Sequence, residues 1–251
     1  MPASGPVVLT ERDLEVLRLV GAVGYIATEQ IARELFPNLD RARRRLRQLF
    51  DGRYIRVAVT DTRTQNLVSL TPAGRDALEV THGGPVDGLV LCGAISLSSV
   101  WHHLAIVDVR LAMAAMKSAG IGELLEWNGG RSQRSINAGF AAAKIAPDGI
   151  ADIQLGATTG VVAVEVDCAT EGTRFLKSKL DHYARTLPTL AKTELWVLAL
   201  GEPRRLDHVR RLCDESGIAR KTRLFSHADV LRRPFRLVPR LATTIPAASR
   251  Y

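Results

Sequence analysis

The sequence predicts a mixed α/β protein, α+β overall, in which a small helical domain with a β-hairpin precedes a larger domain of strands and helices. Three observations support this. Apolar residues recur at helical spacing through the first 50 residues and then alternate at a period of two. A stretch rich in Gly and Ser follows at 83–100. Beyond it, β-branched runs alternate with helical patterns.

Length and composition exclude several classes of protein. The 251 residues are 46% hydrophobic and 24% charged, which suits one or two globular domains and argues against a disordered or fibrous chain. The apolar runs, such as 195–200, are too short to span a bilayer, and the amino terminus has no basic-then-apolar leader. We therefore expect a cytoplasmic protein with no membrane partner. Cys92, Cys168 and Cys213 are scattered, which excludes a disulfide framework and a clustered-thiolate zinc site.

The net charge of +8 is unevenly distributed. Residues 1–80 carry 12 basic and 10 acidic side chains, residues 81–200 carry 10 and 11, and residues 201–251 carry 12 and 5. Of the 34 cations 28 are Arg, whose planar guanidinium suits phosphate. A polyanion is the first partner to consider, although a GC-rich genome would produce the same bias and a merely solubilising charge is the alternative.

Two helices open the chain. Thr10 with Asp13 predicts a capped first helix, which Gly21 and Gly24 are expected to end. Thr28 is predicted to cap a second helix over 29–35, which Pro37 and Asn38 stop.

A third helix is predicted from Leu39 to Gly52. One side is apolar, with Leu39, Ala42, Leu46, Leu49 and Phe50. The opposite side carries Arg41, Arg44 and Gln48, flanked by Arg43, Arg45 and Arg47. Alternation over 54–59 and 66–70, around a polar turn, predicts a hairpin.

Three short helices followed by a hairpin is the order of a winged helix-turn-helix, in which the third helix enters the major groove and the wing touches the flanking backbone. The segment from Leu70 to Arg75 resembles the end of such a wing. This interpretation predicts a double-stranded DNA partner, which needs no cofactor, bound by Arg41, Arg43, Arg44, Arg45, Arg47, Gln48, Arg56 and Arg63. A solvated helix face and a protein-interaction module are the alternatives.

The rest of the chain predicts the order αβββαβ, followed by a further helix, strand and short helix. The helices are placed at 102–118, 173–186, 204–215 and 226–232, and the strands at 123–127, 149–155, 161–167, 195–200 and 223–225. We therefore divide the chain into a winged-helix domain (1–82), a linker (83–100) and an α/β domain with a basic carboxy-terminal segment (101–251).

Acidic residues fall at strand ends in this second domain. Asp148, after Pro147, opens the second strand, and Glu165 and Asp167 share one face at the end of the third. Such a cluster of carboxylates could hold Mg²⁺ or Mn²⁺ for phosphodiester hydrolysis. The alternative is that these acids cap helices or form ion pairs, and that Cys168 is a small core side chain.

The topology and this spacing resemble the PD-(D/E)xK nuclease fold. The resemblance implies Asp148, Glu165 and Asp167 as catalytic carboxylates, with the metal on Asp148 and Glu165. The Lys expected at the third position of the Glu motif is replaced by Asp167. Lys179 or Lys177, on the next helix, could supply the positioning cation, and Glu123 or Glu126 a further acid. A degenerate nuclease fold stays open. His102 and His103 are expected to pack or cap.

Several motifs in order resemble the replication-relaxation family of plasmids and mobile elements. They are the wing end at 70–74, the segment His103 to Arg110, Pro147-Asp148, Glu165-Val166-Asp167, Thr170-Glu171, Lys179-Leu180 and Tyr183. The resemblance covers about 9–200 and leaves the basic segment beyond it unexplained. It implies DNA binding connected with replication, transfer or their regulation.

Three functions follow in order: a DNA-binding protein with a degenerate nuclease-like domain, a Mg²⁺- or Mn²⁺-dependent endonuclease, and a winged-helix adaptor. A homodimer is open, with the helix at 101–118 as one interface.

Overall fold

The computed structural model describes residues 7–59, 66–93, 95, 99–129, 140, 144–169, 172–200 and 203–232. Within them the protein is mixed α/β, as predicted, with two sheets. The helices are α1 (Glu11–Val23), α2 (Thr28–Leu35), α3 (Leu39–Asp51), α4 (Pro72–His82), α5 (Val100–Ala114), α6 (Thr173–Thr186), α7 (Pro203–Glu215) and α8 (His227–Leu231). The strands are β1 (Tyr25–Ala27), β2 (Ile55–Val59), β3 (Asn66–Leu70), β4 (Glu123–Gly129), β5 (Gly149–Leu155), β6 (Thr158–Asp167), β7 (Thr193–Ala199) and β8 (Thr222–Ser226).

We call α1 to α4 together with β1 to β3 the first unit, and the elements from α5 onward the second unit. The first unit places three helices before a hairpin, in the predicted order. Its antiparallel sheet has the order β1-β3-β2, and Val68 of β3 pairs with Ile26 on one side and Val57 on the other. The sequence did not predict β1. Its three residues are all buried, so the strand shows no alternation of polar and apolar side chains.

The first helix begins as predicted. The Asp13 carboxylate accepts the Thr10 backbone N–H at 2.6 Å, and Thr10 in turn caps the Asp13 N–H. The prediction that Gly21 ends α1 is wrong, because the helix continues to Val23 and Gly24 follows it as the cap. A Cβ at Gly21 would lie 2.6 Å from the Leu89 side chain, so the close packing of Leu89 favours glycine there.

Thr28 was predicted to cap α2, and this is wrong. The cap is Ala27, whose N–H donates to Gln30 Oε1 at 3.1 Å. Because β1 runs directly into α2, the Thr28 hydroxyl instead donates to the Asn66 carbonyl at 3.2 Å and ties the helix to β3.

The second unit contains the predicted order αβββαβ, formed by α5, β4, β5, β6, α6 and β7. Its sheet has the order β4-β5-β6-β7-β8, antiparallel up to β6 and parallel from β6 to β8. The side chains of β6 alternate between two cores. Val162, Val164 and Val166 face α5 and α8, whereas Ala163 faces α6 and α7. The same alternation puts Glu165 and Asp167 on the α6 side.

Helix α5 belongs to both units. Val107 and Leu111 pack in the core of the first unit, whereas Ile106, Val109 and Met113 pack against the large sheet. The helix ends at Ala114 and not at Ser118 as predicted, and turns follow it. Helix α5 is thus packed on both sides, while Trp101 at its start is exposed.

The segment that we predicted as a linker also contacts the first unit. The Val90 N–H donates to the Gly21 carbonyl at 2.8 Å, Arg56 donates to the Cys92 carbonyl, and the Cys92 side chain is buried.

No helix among the described residues is both long and apolar enough to cross a membrane.

Asp108 of α5 is the polar centre of the seam between the two units. Its carboxylate accepts hydrogen bonds from Gln30 at 2.9 Å and Arg33 at 2.5 Å, both on α2, and contacts His227 of α8 at 2.9 Å. Burial raises its pKa, but the His227, Gln30 and Arg33 contacts lower it more, and the net pKa is lowered. The ionised Asp108 carboxylate therefore stabilises the fold at pH values above the pKa of this group in the unfolded chain. This contribution is lost as the pH falls through the pKa of the group in the folded protein.

We predict that Asp108→Asn lowers the free energy of unfolding by about 2 kcal/mol at pH 7, because it removes a buried charge from three donors. Urea unfolding monitored by circular dichroism measures this. Asp76→Asn is the matched control, because Asp76 pairs with Arg75 at the surface and should cost below about 0.5 kcal/mol. Equal losses in the two variants would contradict the role of Asp108.

Candidate functional site

The exposed face of α3 is set by helix geometry. Asn38 caps the helix by accepting the Arg41 N–H at 2.9 Å, and Ala42, Leu46 and Leu49 are buried. The apolar stripe fixes the rotation of the helix, so the side opposite faces solvent.

The arginines of α3 differ in their contacts. Arg41 and Arg44 are exposed, and neither forms an ion pair with another described residue. Arg43 lies 3.9 Å from Glu29 of α2. Arg47 pairs with Asp51 at 3.0 Å and lies over the Phe50 ring. Arg41 and Arg44 are therefore the cations of this face that are best placed to meet an anionic partner.

Arg45 is used inside the first unit. Its Nε donates to Asp13 Oδ1 at 2.7 Å, and a terminal nitrogen donates to Oδ2 of the same carboxylate. It also donates to the Val8 carbonyl at 2.9 Å and to the side chain of Gln48 at 2.6 Å. Burial opposes the ionisation of Asp13, but Arg45 and Thr10 overcome it and lower its pKa. Arg45 thus joins α3 to α1.

Two hairpin residues complete the predicted DNA-contact set. Arg56 on β2 is exposed and donates to the Cys92 carbonyl. Arg63 lies outside the described residues.

The carboxylates of the second unit meet between α5, β6 and α6. Glu165 forms an ion pair with Lys179 at 2.5 Å and accepts a hydrogen bond from the Tyr183 hydroxyl. Asp148 accepts the Val166 N–H at 2.8 Å and contacts His102 of α5 at 3.1 Å. These five side chains form what we call the carboxylate cluster: His102, Asp148, Glu165, Lys179 and Tyr183.

Asp167 is held by a separate partner. Arg205 of α7 binds it with two nitrogens, at 2.5 and 2.7 Å, and the Ala169 N–H donates to it at 3.1 Å. The other candidates lie in pairs of their own: Lys177 with Asp181, Glu123 with Lys117 and Glu126 with Asn128. The structure therefore brings Asp148, Glu165 and Lys179 together, whereas Asp167 forms an ion pair with Arg205.

Burial controls ionisation in the cluster. Burial and the nearby Asp148 charge raise the pKa of Glu165 to about 8, although Lys179 and Tyr183 stabilise the carboxylate. The contact with Asp148 raises the pKa of His102. Burial opposes the ionisation of Asp148, but His102 and Lys179 lower its pKa. Burial and the Asp148 charge therefore disfavour the ionised form of Glu165, and the contacts with Lys179 and Tyr183 favour it.

The arrangement does not fit a resident divalent ion. Mg²⁺ and Mn²⁺ need several free oxygen ligands, but Lys179 and Tyr183 engage both oxygens of Glu165, and Arg205 engages both of Asp167. The cavity beside Glu165 measures about 10 Å³, which is room for about one water molecule. Among the described residues no group of three His, Cys, Asp or Glu side chains could hold a metal.

Three of these contacts were not predicted from the sequence. They are the contact of His102 with Asp148, the hydrogen bond from Tyr183 to Glu165, and the binding of Asp167 by Arg205. The spacing of Lys179 and Tyr183 could have indicated that Tyr183 lies beside Lys179, because the two residues are four apart and share a face of α6. His103 packs as expected, with its ring 3.9 Å from that of Tyr25.

Two kinds of comparison with known proteins, one with family models and one with solved structures, find matches. A family model described as replication-relaxation matches residues 17–194. A search of curated proteins finds no match. Among solved structures, the restriction endonuclease FokI is 14% identical with a TM-score of 0.30, and the alignment covers 89% of this chain and 44% of FokI. The chain thus spans under half of the FokI chain, and a TM-score this low does not establish a shared fold.

We predict that Glu165→Gln removes much of the pH dependence of stability between about pH 5 and 8. A raised pKa contributes stability that is complete below the unfolded pKa and is lost as the pH rises through the folded pKa. The wild type should therefore lose roughly 1 kcal/mol per pH unit in this window relative to the variant. Urea titrations at several pH values test this, and parallel curves for the two proteins would contradict it.

Proposed function

We propose that the chain, which belongs to the replication-relaxation family, binds double-stranded DNA. Its first unit acts as a winged helix, and α3 is the element that enters the major groove. The family description supports a role in the replication or transfer of a plasmid or mobile element, or in the regulation of either. A winged helix could exert that role at an origin or at a promoter.

The observation that carries the proposal is the exposed pair Arg41 and Arg44 on the side of α3 away from its buried stripe. They are three residues apart, so their side chains project from one face. A helix of 13 residues is about 20 Å long and has the width that the major groove accepts. Arg43 and Arg47 flank this pair and extend the cationic surface along the helix.

Arg45 supports this surface without belonging to it. Its ion pair with Asp13 holds α3 against α1, so the helix keeps one orientation. Positioning of this kind reduces the side-chain and backbone freedom that binding would otherwise remove.

We predict that Arg41→Ala/Arg44→Ala weakens duplex binding at least tenfold and reduces the slope of log K against log salt by about 2, because two phosphate contacts and their released counterions are lost. Fluorescence anisotropy at several salt concentrations measures both quantities.

The matched control is Arg75→Ala/Arg210→Ala, which removes the same charge from α4 and α7, where both arginines pair with neighbouring acids. Its affinity should stay within about twofold of wild type. Equal weakening in the two double variants would show that the protein responds only to net charge.

The carboxylate cluster, in this proposal, is a structural network of a nuclease-like domain that does not cleave DNA. Its acids are paired with Lys179, Tyr183 and His102, which suits a packed interior better than catalysis. The protein-interaction adaptor remains the competing function, and light scattering beside the DNA titration separates the two. A dimer without DNA affinity would favour the adaptor.

We predict that the chain leaves supercoiled, linear and branched DNA uncut in the presence of Mg²⁺ or Mn²⁺, because the oxygens of Glu165 and Asp167 already accept hydrogen bonds from protein donors. Gel electrophoresis over hours measures this. Cleavage by the wild type that Asp148→Ala abolishes would contradict the structural role and establish a nuclease.

A further inference from the structure

Gln48 lies on the exposed face of α3 together with Arg41 and Arg44. It follows Arg44 by four residues and Arg41 by seven, so the three side chains project from one side of the helix. All three residues are exposed to solvent. Once α3 lies in the major groove, as the proposed function requires, a side chain on this face is within reach of the base edges.

Arg45 holds the Gln48 amide in one orientation. Its Nη1 donates to Gln48 Oε1 at 2.6 Å. A guanidinium group carries donors and no acceptor, so it binds the oxygen of the amide and not the nitrogen. Arg45 is fixed in turn by Asp13, which accepts its Nε at 2.7 Å and whose side chain is only 1% exposed.

This contact leaves Gln48 with donors alone for a partner. The amide nitrogen Nε2 carries two hydrogens and donates to no other described residue. The amide oxygen accepts from a cation, and a second donor that approached the same oxygen would also approach the positive charge of Arg45. The pair of Arg45 and Gln48 therefore favours a partner that offers acceptors.

The four bases differ in the acceptors that they present in the major groove. Guanine presents two neighbouring acceptors, N7 and O6. Adenine presents one acceptor beside an amino donor, thymine presents one acceptor, and cytosine presents a donor. A glutamine with a free oxygen pairs with adenine through both amide atoms. Because Arg45 engages that oxygen here, guanine is the base that fits Gln48 best.

We propose that Gln48 reads the DNA sequence and selects a guanine, with Arg45 as the residue that positions its amide. The proposal rests on the proposed function, because α3 must first lie in the major groove. It adds to that function a base preference and the side chain that sets it. Arg41 and Arg44 also suit guanine, so the test depends on replacing Gln48 itself.

The experiment begins with a duplex library that contains a randomised stretch of about 10 base pairs, which is one helical turn. The full chain and Gln48→Ala each select from this library, and the position whose preference disappears in the variant is the one that Gln48 reads. Four duplexes that carry each base at this position are then compared by fluorescence anisotropy. The wild type should bind the guanine duplex about tenfold more tightly than the adenine duplex, and Gln48→Ala should bind all four within about twofold.

Two further variants test the chemistry of the contact. Gln48→Glu keeps a partner for Arg45 but offers only acceptors, so its preference should move to cytosine, which presents a donor. Arg45→Lys keeps a cation beside Asp13 but lacks the second nitrogen that holds Gln48, so adenine should be bound about as well as guanine. Retained binding of the guanine duplex by Arg45→Lys shows that the first unit is folded. A residue that only supported the fold would not change the preferred base.

Gln154→Ala is the matched control, because Gln154 is an exposed glutamine of the second unit that donates to the Gly156 carbonyl at 3.1 Å. This variant should keep the wild-type preference. Duplex binding without any sequence preference, an unchanged preference in Gln48→Ala, or a Gln48-dependent preference for adenine overturns the base contact and leaves the proposed function standing. A wild type that binds no duplex removes both.

Discussion

The packing of α5 between the two units is the constraint on which the rest of the structure depends. One side of the helix completes the core around α1 and β3, and the other covers the large sheet. A helix that is apolar on nearly all sides must be buried on all of them. Asp108 interrupts that apolar surface and is satisfied only because α2 and α8 both bring donors to it. The orientation of α2, and of α3 packed against it, is therefore tied to the sheet.

The arginines of α3 show how one residue type takes two roles. Arg45 faces Asp13 and fastens α3 to α1, whereas Arg41 and Arg44 face solvent. The first ion pair shields a buried carboxylate, and its loss would leave that charge unpaired. Arg41 and Arg44 form no ion pair with another described residue. In the proposed complex with DNA, removing Arg45 would therefore change the affinity for DNA through the shape of the first unit, and removing Arg41 or Arg44 would change it through charge alone.

Much of the fold could be predicted from local pattern, and less of the site could. The cap at Thr10, the two faces of α3 and the order αβββαβ depend on neighbours within a few residues, so the sequence reveals them. The same holds for the approach of Asp148 to Glu165, because both lie at the ends of adjacent strands. The partners Arg205 and His227 could not be predicted. They lie 38 and 119 residues from the carboxylates that they contact, and only the packing of α7 and α8 brings them there. The prediction that Thr28 caps α2 is wrong because the buried strand β1 runs directly into the helix, so that Ala27, its last residue, takes the cap position.

The cluster around Glu165 and the face of α3 differ in their charges: the acids of the cluster are paired inside the protein, whereas Arg41 and Arg44 are exposed to solvent. The proposed function therefore depends on where DNA contacts the chain. Amide hydrogen exchange of the full chain with and without a paired duplex measures this most directly. We expect slower exchange in peptides that cover α3 and in those that cover β2 and β3, and unchanged exchange in peptides from α7. Slower exchange confined to α6 and α7, with α3 unaffected, would contradict it.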